Sequence, residues 1–171
     1  MENLINVAGT VNDSIVDGVG LRYVLFVQGC PRKCKGCHNA DTQPFVEKTL
    51  MTPAEIMEQI DSNPLLDGVT FSGGEPMYQA ESLVPLAKMI KERGLHLAIY
   101  TGYTFEDLCI KDATFVKELL AYADVLIDGE FIESLRDYTL KFRGSSNQRV
   151  IDVQESLRLS QTVLVTSPKW L

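Results

Sequence analysis

Hydrophobic and polar positions along this chain repeat with two periods. Dense apolar runs of strand length occur at Leu21–Val27 (LRYVLFV), Val69–Ser72 (VTFS), Leu95–Tyr100 (LHLAIY), Val125–Asp128 (VLID) and Thr162–Val165 (TVLV). They are rich in β-branched and aromatic residues, which suit a pleated, buried surface. Between them apolar residues recur at helical spacing. Thr52-Pro53-Ala54-Glu55 combines a capping hydroxyl, a proline at the first helical position and an acidic first turn. The helix it opens carries Ile56, Met57 and Ile60 on one face and should stop before Asn63-Pro64. A second helix is expected from Gln79 to Arg93, closed by Gly94, and a third from Thr114 to Ala123. Strands alternating with helices predict an α/β chain with a largely parallel sheet. No linker, repeat or low-complexity stretch divides residues 1–171, so they read as a single domain.

The residues that suggest chemistry all follow predicted strands. A cysteine-rich loop, CPRKCKGCHN (30–39), follows the first, SGGEP (72–76) the second, TGY (101–103) the third and DGEF (128–131) the fourth. In parallel α/β folds the loops at the carboxyl ends of strands share one face, and ligands bind there. The four motifs are therefore expected to converge.

Composition narrows the picture only a little. At 171 residues, 45% hydrophobic and 23% charged, the chain has the make-up of a globular protein with a substantial core. No apolar run approaches a membrane span, and the Met-Glu-Asn start lacks a basic then apolar leader. A cytoplasmic location without membrane attachment is the expectation. A net charge of −7, spread along the chain, argues against a nucleic-acid partner. Arg32, Lys33 and Lys35 fall inside the cysteine loop, where they either receive an anionic ligand or an acidic redox partner or are simply solvated.

Cys30, Cys34 and Cys37 form a C-x3-C-x2-C pattern. In a reducing compartment such crowded thiols indicate metal ligation rather than disulfides. The remaining Cys109, in TFEDLC, falls where a short helix would bury a small hydrophobe. A structural zinc site needs four ligands. The available fourth ligands are His38, adjacent to Cys37, His96, placed mid-strand as a core histidine, and Cys109. A four-iron cluster held by three thiolates instead leaves one iron open to an external ligand. Neither histidine stands in a readable nucleophile–base arrangement, so hydrolytic chemistry fits poorly.

The C-x3-C-x2-C loop after the first strand, with GGE after the second, resembles the radical S-adenosylmethionine superfamily. SIVDGVGLRYVLFVQGC (14–30) resembles the start of glycyl-radical activating enzymes. YTGYTFEDL (100–108), DVLIDGEF (124–131) and especially FRGSSNQRVIDV (142–153) resemble the branch that acts on anaerobic ribonucleoside-triphosphate reductase. The resemblance implies a partial, open (βα) barrel and a [4Fe-4S] cluster on Cys30, Cys34 and Cys37, its fourth site open to S-adenosylmethionine. It further implies a glycyl radical made on the reductase, with a flavodoxin or ferredoxin-type electron donor. Activation of a formate-lyase type enzyme is the alternative within the class; a non-catalytic iron–sulfur or zinc protein is the alternative outside it.

The same resemblance implies roles for further positions. Gly73, Gly74 and Glu75 match the motif that meets the methionyl amino group, where glycines admit close backbone approach and a carboxylate suits an ammonium. Gly36, His38 and Asn39 in the cysteine loop, and Thr101 and Gly102, are expected to contact cofactor. Gly36 occupies a place where many relatives carry an aromatic residue. Asp128 matches the acidic member of an Asp-x-Lys motif whose lysine position is Glu130 here. Arg143, Ser145, Ser146, Asn147 and Arg149 form a polar group that serves either cofactor, partner or the loop itself.

Overall fold

The computed structural model describes residues 3–171. Its frame is a single seven-stranded sheet in the order β3-β1-β2-β4-β5-β6-β7. The strands are β1 (Ile5–Ser14), β2 (Arg22–Val27), β3 (Thr49–Met51), β4 (Gly68–Gly73), β5 (His96–Tyr100), β6 (Val125–Asp128) and β7 (Arg149–Asp152). The central four, β2, β4, β5 and β6, run parallel, while β1, β3 and β7 pair antiparallel at the flanks. The sheet does not close, which agrees with the expected open α/β architecture. The helices are α1 (Pro53–Asp61), α2 (Ala80–Glu92), α3 (Phe105–Ile110), α4 (Thr114–Tyr122) and α5 (Val153–Leu159). No described helix is long and apolar enough to cross a membrane.

The expected start of α1 forms as a reciprocal capping box. Glu55 N–H donates to Thr52 Oγ1 at 3.1 Å, and Thr52 N–H donates to Glu55 Oε2 at 2.8 Å. Its inward face, Ile56, Met57 and Ile60, joins Leu83, Leu86 and Ile90 of α2 and Leu119 of α4 in one core against the sheet. On the other face of the sheet, Ala98, Val125, Ile127 and Val150 pack against Trp170, with Tyr100, Phe142 and Val165 around them. The central strands are thus buried on both sides, so they read as unbroken apolar runs rather than as alternation.

A polar cluster crosses the amino-terminal ends of these strands. The pairing Arg22↔Gly68↔His96 sets three strand starts in a row. Arg22, 1% exposed, donates to Thr70 Oγ1, Val19 O and Val69 O at 2.8–2.9 Å. It also lies 3.0 Å from His96 Nδ1, and the His96 ring stacks on Trp170 at 5.5 Å. Burial, followed by the Arg22 charge, lowers His96 to a pKa of about 4, so it is a satisfied neutral histidine as expected.

Three features differ from expectation. TVLV at 162–165 is not a strand: it makes a single bridge, Ile151↔Leu164, with Leu164 52% exposed. β1, β3 and β7 were not foreseen, because INVAGTVNDS carries turn-forming residues and TLM and RVID are too short to show a period. The short helix at TFEDLC does form, but it turns Phe105 and Leu108 inward, which leaves Cys109, one step further round, exposed.

Candidate functional site

The loop after β2 is fastened at its base and folded back on itself. Gly29 N–H donates to Thr42 O at 2.7 Å and Cys30 N–H to Gln43 O at 3.0 Å. Cys37 N–H donates to Cys34 O at 3.2 Å, which closes the tight turn between the second and third cysteines. Asn39 starts a 3₁₀ turn, with its carbonyl accepting from the Thr42 hydroxyl at 2.6 Å. The result is that Cys30, Cys34 and Cys37 all face one cavity of about 370 Å³. Among the described residues, no three His, Cys, Asp or Glu side chains are drawn around a single point. The thiols instead frame one wall of the cavity.

The electrostatics of the thiols follow from that wall. Burial raises Cys30, and the neighbouring Glu75 and thiols add to this, while the backbone at Arg32 works against it. Burial also raises Cys34, followed by the charge of Glu130; the Phe131 N–H and the Arg32 charge oppose.

The loop after β4 touches the cysteine loop directly. A Cβ at Gly74 would lie 2.3 Å from Gly29 O, so only glycine allows this approach. Glu75 N–H donates to Gly29 O at 2.9 Å and joins the two loops. The Glu75 side chain is 1% exposed. Its Oε1 accepts from Thr101 Oγ1 at 2.8 Å and Met77 N–H at 3.2 Å, and its Oε2 accepts from Gly102 N–H at 2.8 Å. Burial raises its pKa, and these three donors, with the Arg32 charge, oppose the rise. Glu75 is thus a strut between the β4 and β5 loops as well as part of the cavity wall.

Cys30, Cys34, Cys37, His38, Asn39, Gly73, Gly74, Glu75, Thr101 and Gly102 all line the cavity. Gly36 and Asp128 do not. Gly36 sits behind the wall, with its carbonyl 3.4 Å from Arg136 Nη2. Asp128, 1% exposed, accepts from Phe105 N–H at 2.8 Å at the start of α3 and receives Arg149 on both oxygens at 3.1 and 2.6 Å. Arg149 also grips Glu106, at 3.0 and 2.6 Å, which holds that carboxylate down at a pKa of about 2.

The polar group in FRGSSNQR has a clear architectural use. Gln148 Oε1 accepts from Gly144 N–H and Ser145 N–H at 2.8 and 3.1 Å, and its Nε2 donates to Gly129 O at 3.0 Å. Asn147 Nδ2 donates to Glu130 O at 2.8 Å, while Ser145, fully buried, accepts from Ile132 N–H at 3.2 Å. Ser145 to Gln148 therefore brace the segment after β6. Ser146 N–H extends the brace to Leu135 O at 2.9 Å. Arg143 and Gln148 of this segment line the cavity, together with Tyr100, Phe142 and Phe131, which sequence reasoning did not single out. Tyr100 ends β5, while Phe131 and Phe142 stand in the loops between β6 and β7; no local signal distinguishes them.

Residues 16–151 match the family described as 4Fe-4S single cluster domain, which defines the class as a single-cluster iron–sulfur protein. The chain is 36% identical over 144 residues to the anaerobic ribonucleoside-triphosphate reductase-activating protein of Haemophilus influenzae, covering 78% of this chain and 89% of that one. The protein of that name from Enterobacteria phage T4 is 38% identical over 141 residues, covering 79% and 86%. The pyruvate formate-lyase-activating enzyme of Clostridium pasteurianum is 37% identical over 126 residues, covering 70% of this chain and 50% of that one. The chain belongs to the family of anaerobic ribonucleoside-triphosphate reductase-activating proteins.

Proposed function

We propose that this chain activates an anaerobic ribonucleoside-triphosphate reductase by generating a glycyl radical on it, as a radical S-adenosylmethionine enzyme. The observation that carries the reading is convergence: the cysteine loop, Gly73-Gly74-Glu75 and Thr101-Gly102 come from the ends of three adjacent parallel strands to line one cavity. Cys30, Cys34 and Cys37 would hold the [4Fe-4S] cluster, and three thiolates leave one iron for S-adenosylmethionine. That group would supply one-electron reductive cleavage of S-adenosylmethionine to methionine and a 5′-deoxyadenosyl radical, able to take a hydrogen from a glycine α-carbon of the reductase.

The chain's own residues do the positioning. The glycine pair at 73–74 brings bare backbone to the cavity, suited to the ammonium and carboxylate of an amino acid. His38 and Asn39 sit beside the third cysteine, where they can donate to cofactor or sulfur. Phe131, Phe142 and Tyr100 give the cavity apolar flanks that exclude water from a reactive intermediate. Asp128 acts at one remove, by fixing the start of α3 and Arg149 at the start of β7.

The test is anaerobic reconstitution with iron and sulfide, reduction by a low-potential one-electron donor such as flavodoxin, and electron paramagnetic resonance with and without S-adenosylmethionine. The expected result is a reduced four-iron signal whose g values move on adding the cofactor, lost in Cys30→Ser, Cys34→Ser and Cys37→Ser. With the reductase present, a glycyl-radical signal should follow. Pyruvate formate-lyase serves as the competing target, given the similarity to its activating enzyme. A cluster indifferent to the cofactor would leave an electron carrier, and zinc in place of iron would overturn the reading altogether.

A further inference from the structure

Arg32 lies between the first two cysteines, yet its side chain reaches away from its own loop. Its Nη1 donates to Glu130 Oε2 at 2.7 Å, across 98 residues of sequence. Its guanidinium carbon stands 4.6 Å from the centre of the Tyr103 ring. Gly102 leaves the room: a Cβ there would lie 2.5 Å from Arg32 Cδ and 2.7 Å from Nε. The side chain is only 26% exposed, and its Nε is buried without a partner. A cation is therefore held in one place on the cavity wall, with restricted hydration, by an anion, an aromatic face and a glycine. Such a placement costs desolvation, which a surface arginine would avoid.

What a fixed cation does there follows from its neighbours. Arg32 and Glu130 both line the cavity together with the three thiols. Opposite charges on the same wall act with opposite signs on negative charge gathered at the thiols, Arg32 favouring it and Glu130 opposing it. We propose that Arg32 is a positioning residue for the reductive step: its locked guanidinium stabilises the electron-loaded cluster, and Glu130 both holds it in place and moderates its effect. This rests on the cluster reading above. The step adds one electron from the external low-potential donor to the cluster, with no bond made or broken in this chain.

Potentiometric titration of the reconstituted protein, followed by the reduced-cluster resonance signal, tests this in wild type, Arg32→Gln, Arg32→Lys, Glu130→Gln and the Arg32→Gln/Glu130→Gln pair. Arg32→Gln should make the cluster harder to reduce, lowering the reduced fraction at a fixed potential by roughly three- to tenfold for one partly neutralised charge at the site. Glu130→Gln should make it easier to reduce, Arg32→Lys should stay near wild type, and the double variant should fall between the single ones. A purely mechanical tie predicts no sign reversal between Arg32→Gln and Glu130→Gln, so equal shifts, or none, at full iron content overturn the proposal. Where Arg32→Gln fails to retain iron, the direction of the Glu130→Gln shift decides. Failure of wild type to assemble a cofactor-responsive cluster would instead strike at the function reading, which separates the two.

Discussion

Replacing Glu75 by glutamine changes one oxygen to an amide nitrogen and leaves the shape alone. In the native site both carboxylate oxygens are accepting, Oε1 from Thr101 and Met77 and Oε2 from Gly102, in a side chain 1% exposed. An amide cannot satisfy both ends. With its NH2 toward Gly102 it faces a backbone N–H; flipped, it faces the Met77 N–H, while the Thr101 hydroxyl already accepts from Tyr103 N–H at 3.1 Å. Either way one buried backbone donor loses its partner, at about 1–3 kcal/mol. Removing a buried charge returns part of that, because burial alone raises the Glu75 pKa. A net loss of about 1–2 kcal/mol remains, which in a domain of this size lowers the Tm by roughly 2–8 °C. The assay is urea unfolding of the cluster-free protein followed by circular dichroism, beside binding of S-adenosylhomocysteine to the reconstituted form. A variant as stable as wild type that no longer binds the nucleoside would refute the strut and make Glu75 a ligand contact only.

Gly74→Ala places a methyl 2.3 Å from Gly29 O and must part the β4 loop from the cysteine loop; the expected cost is about 1–3 kcal/mol, read as a lower Tm with reduced iron per chain after reconstitution. His96 contributes to pH dependence: with its folded pKa depressed from 6.5 to about 4, the unfolded chain binds the extra proton, so stability is full above about 6.5 and declines as pH falls toward 4. The loss should reach about 1–3 kcal/mol between pH 7 and 4.5 in urea titrations, and His96→Phe should flatten that slope. Glu106, held at about 2, contributes above its ordinary 4.5 and loses that contribution as pH falls through 4.5 toward 2. Since its side chain is 51% exposed, Glu106→Gln should cost no more than about 1 kcal/mol at pH 7 and nothing at pH 2, by the same titrations.

Strands buried on both faces were the legible part of the fold. YVLFV and VLID announce themselves because neither side of β2 or β6 meets water. β1 is as long as any strand here but carries its apolar residues at only a few inward positions, Ile5 and Val7 among them, and Gly9, Asn12 and Asp13 read as turn. The candidate site was legible where a residue's type is tied to close approach, as with three cysteines on one loop or the glycine pair at 73–74, though not that Gly74 packs on Gly29. It was not legible where contact joins distant segments. Nothing local to Asp128 says that Arg149 will take both its oxygens, and nothing near Arg32 points to Glu130. Such pairings depend on which strands become neighbours, and a motif read alone holds no record of that.

The ties on the cysteine loop also imply an order of events in the cell. Arg32 meets Glu130 across 98 residues and Arg136 meets Gly36 across 100, with the brace behind them supplied by residues 144–148. Chains are made from the amino end at roughly 5–20 residues per second, and contacts so far apart close last. The three thiols therefore leave the ribosome well before the segment that will hold their loop has been synthesised. During that interval they are open to oxidation and to stray metal. If these thiols hold the cluster as proposed, iron and sulfide delivered then would meet a loop lacking its clasp, and loading would belong after synthesis has passed residue 148.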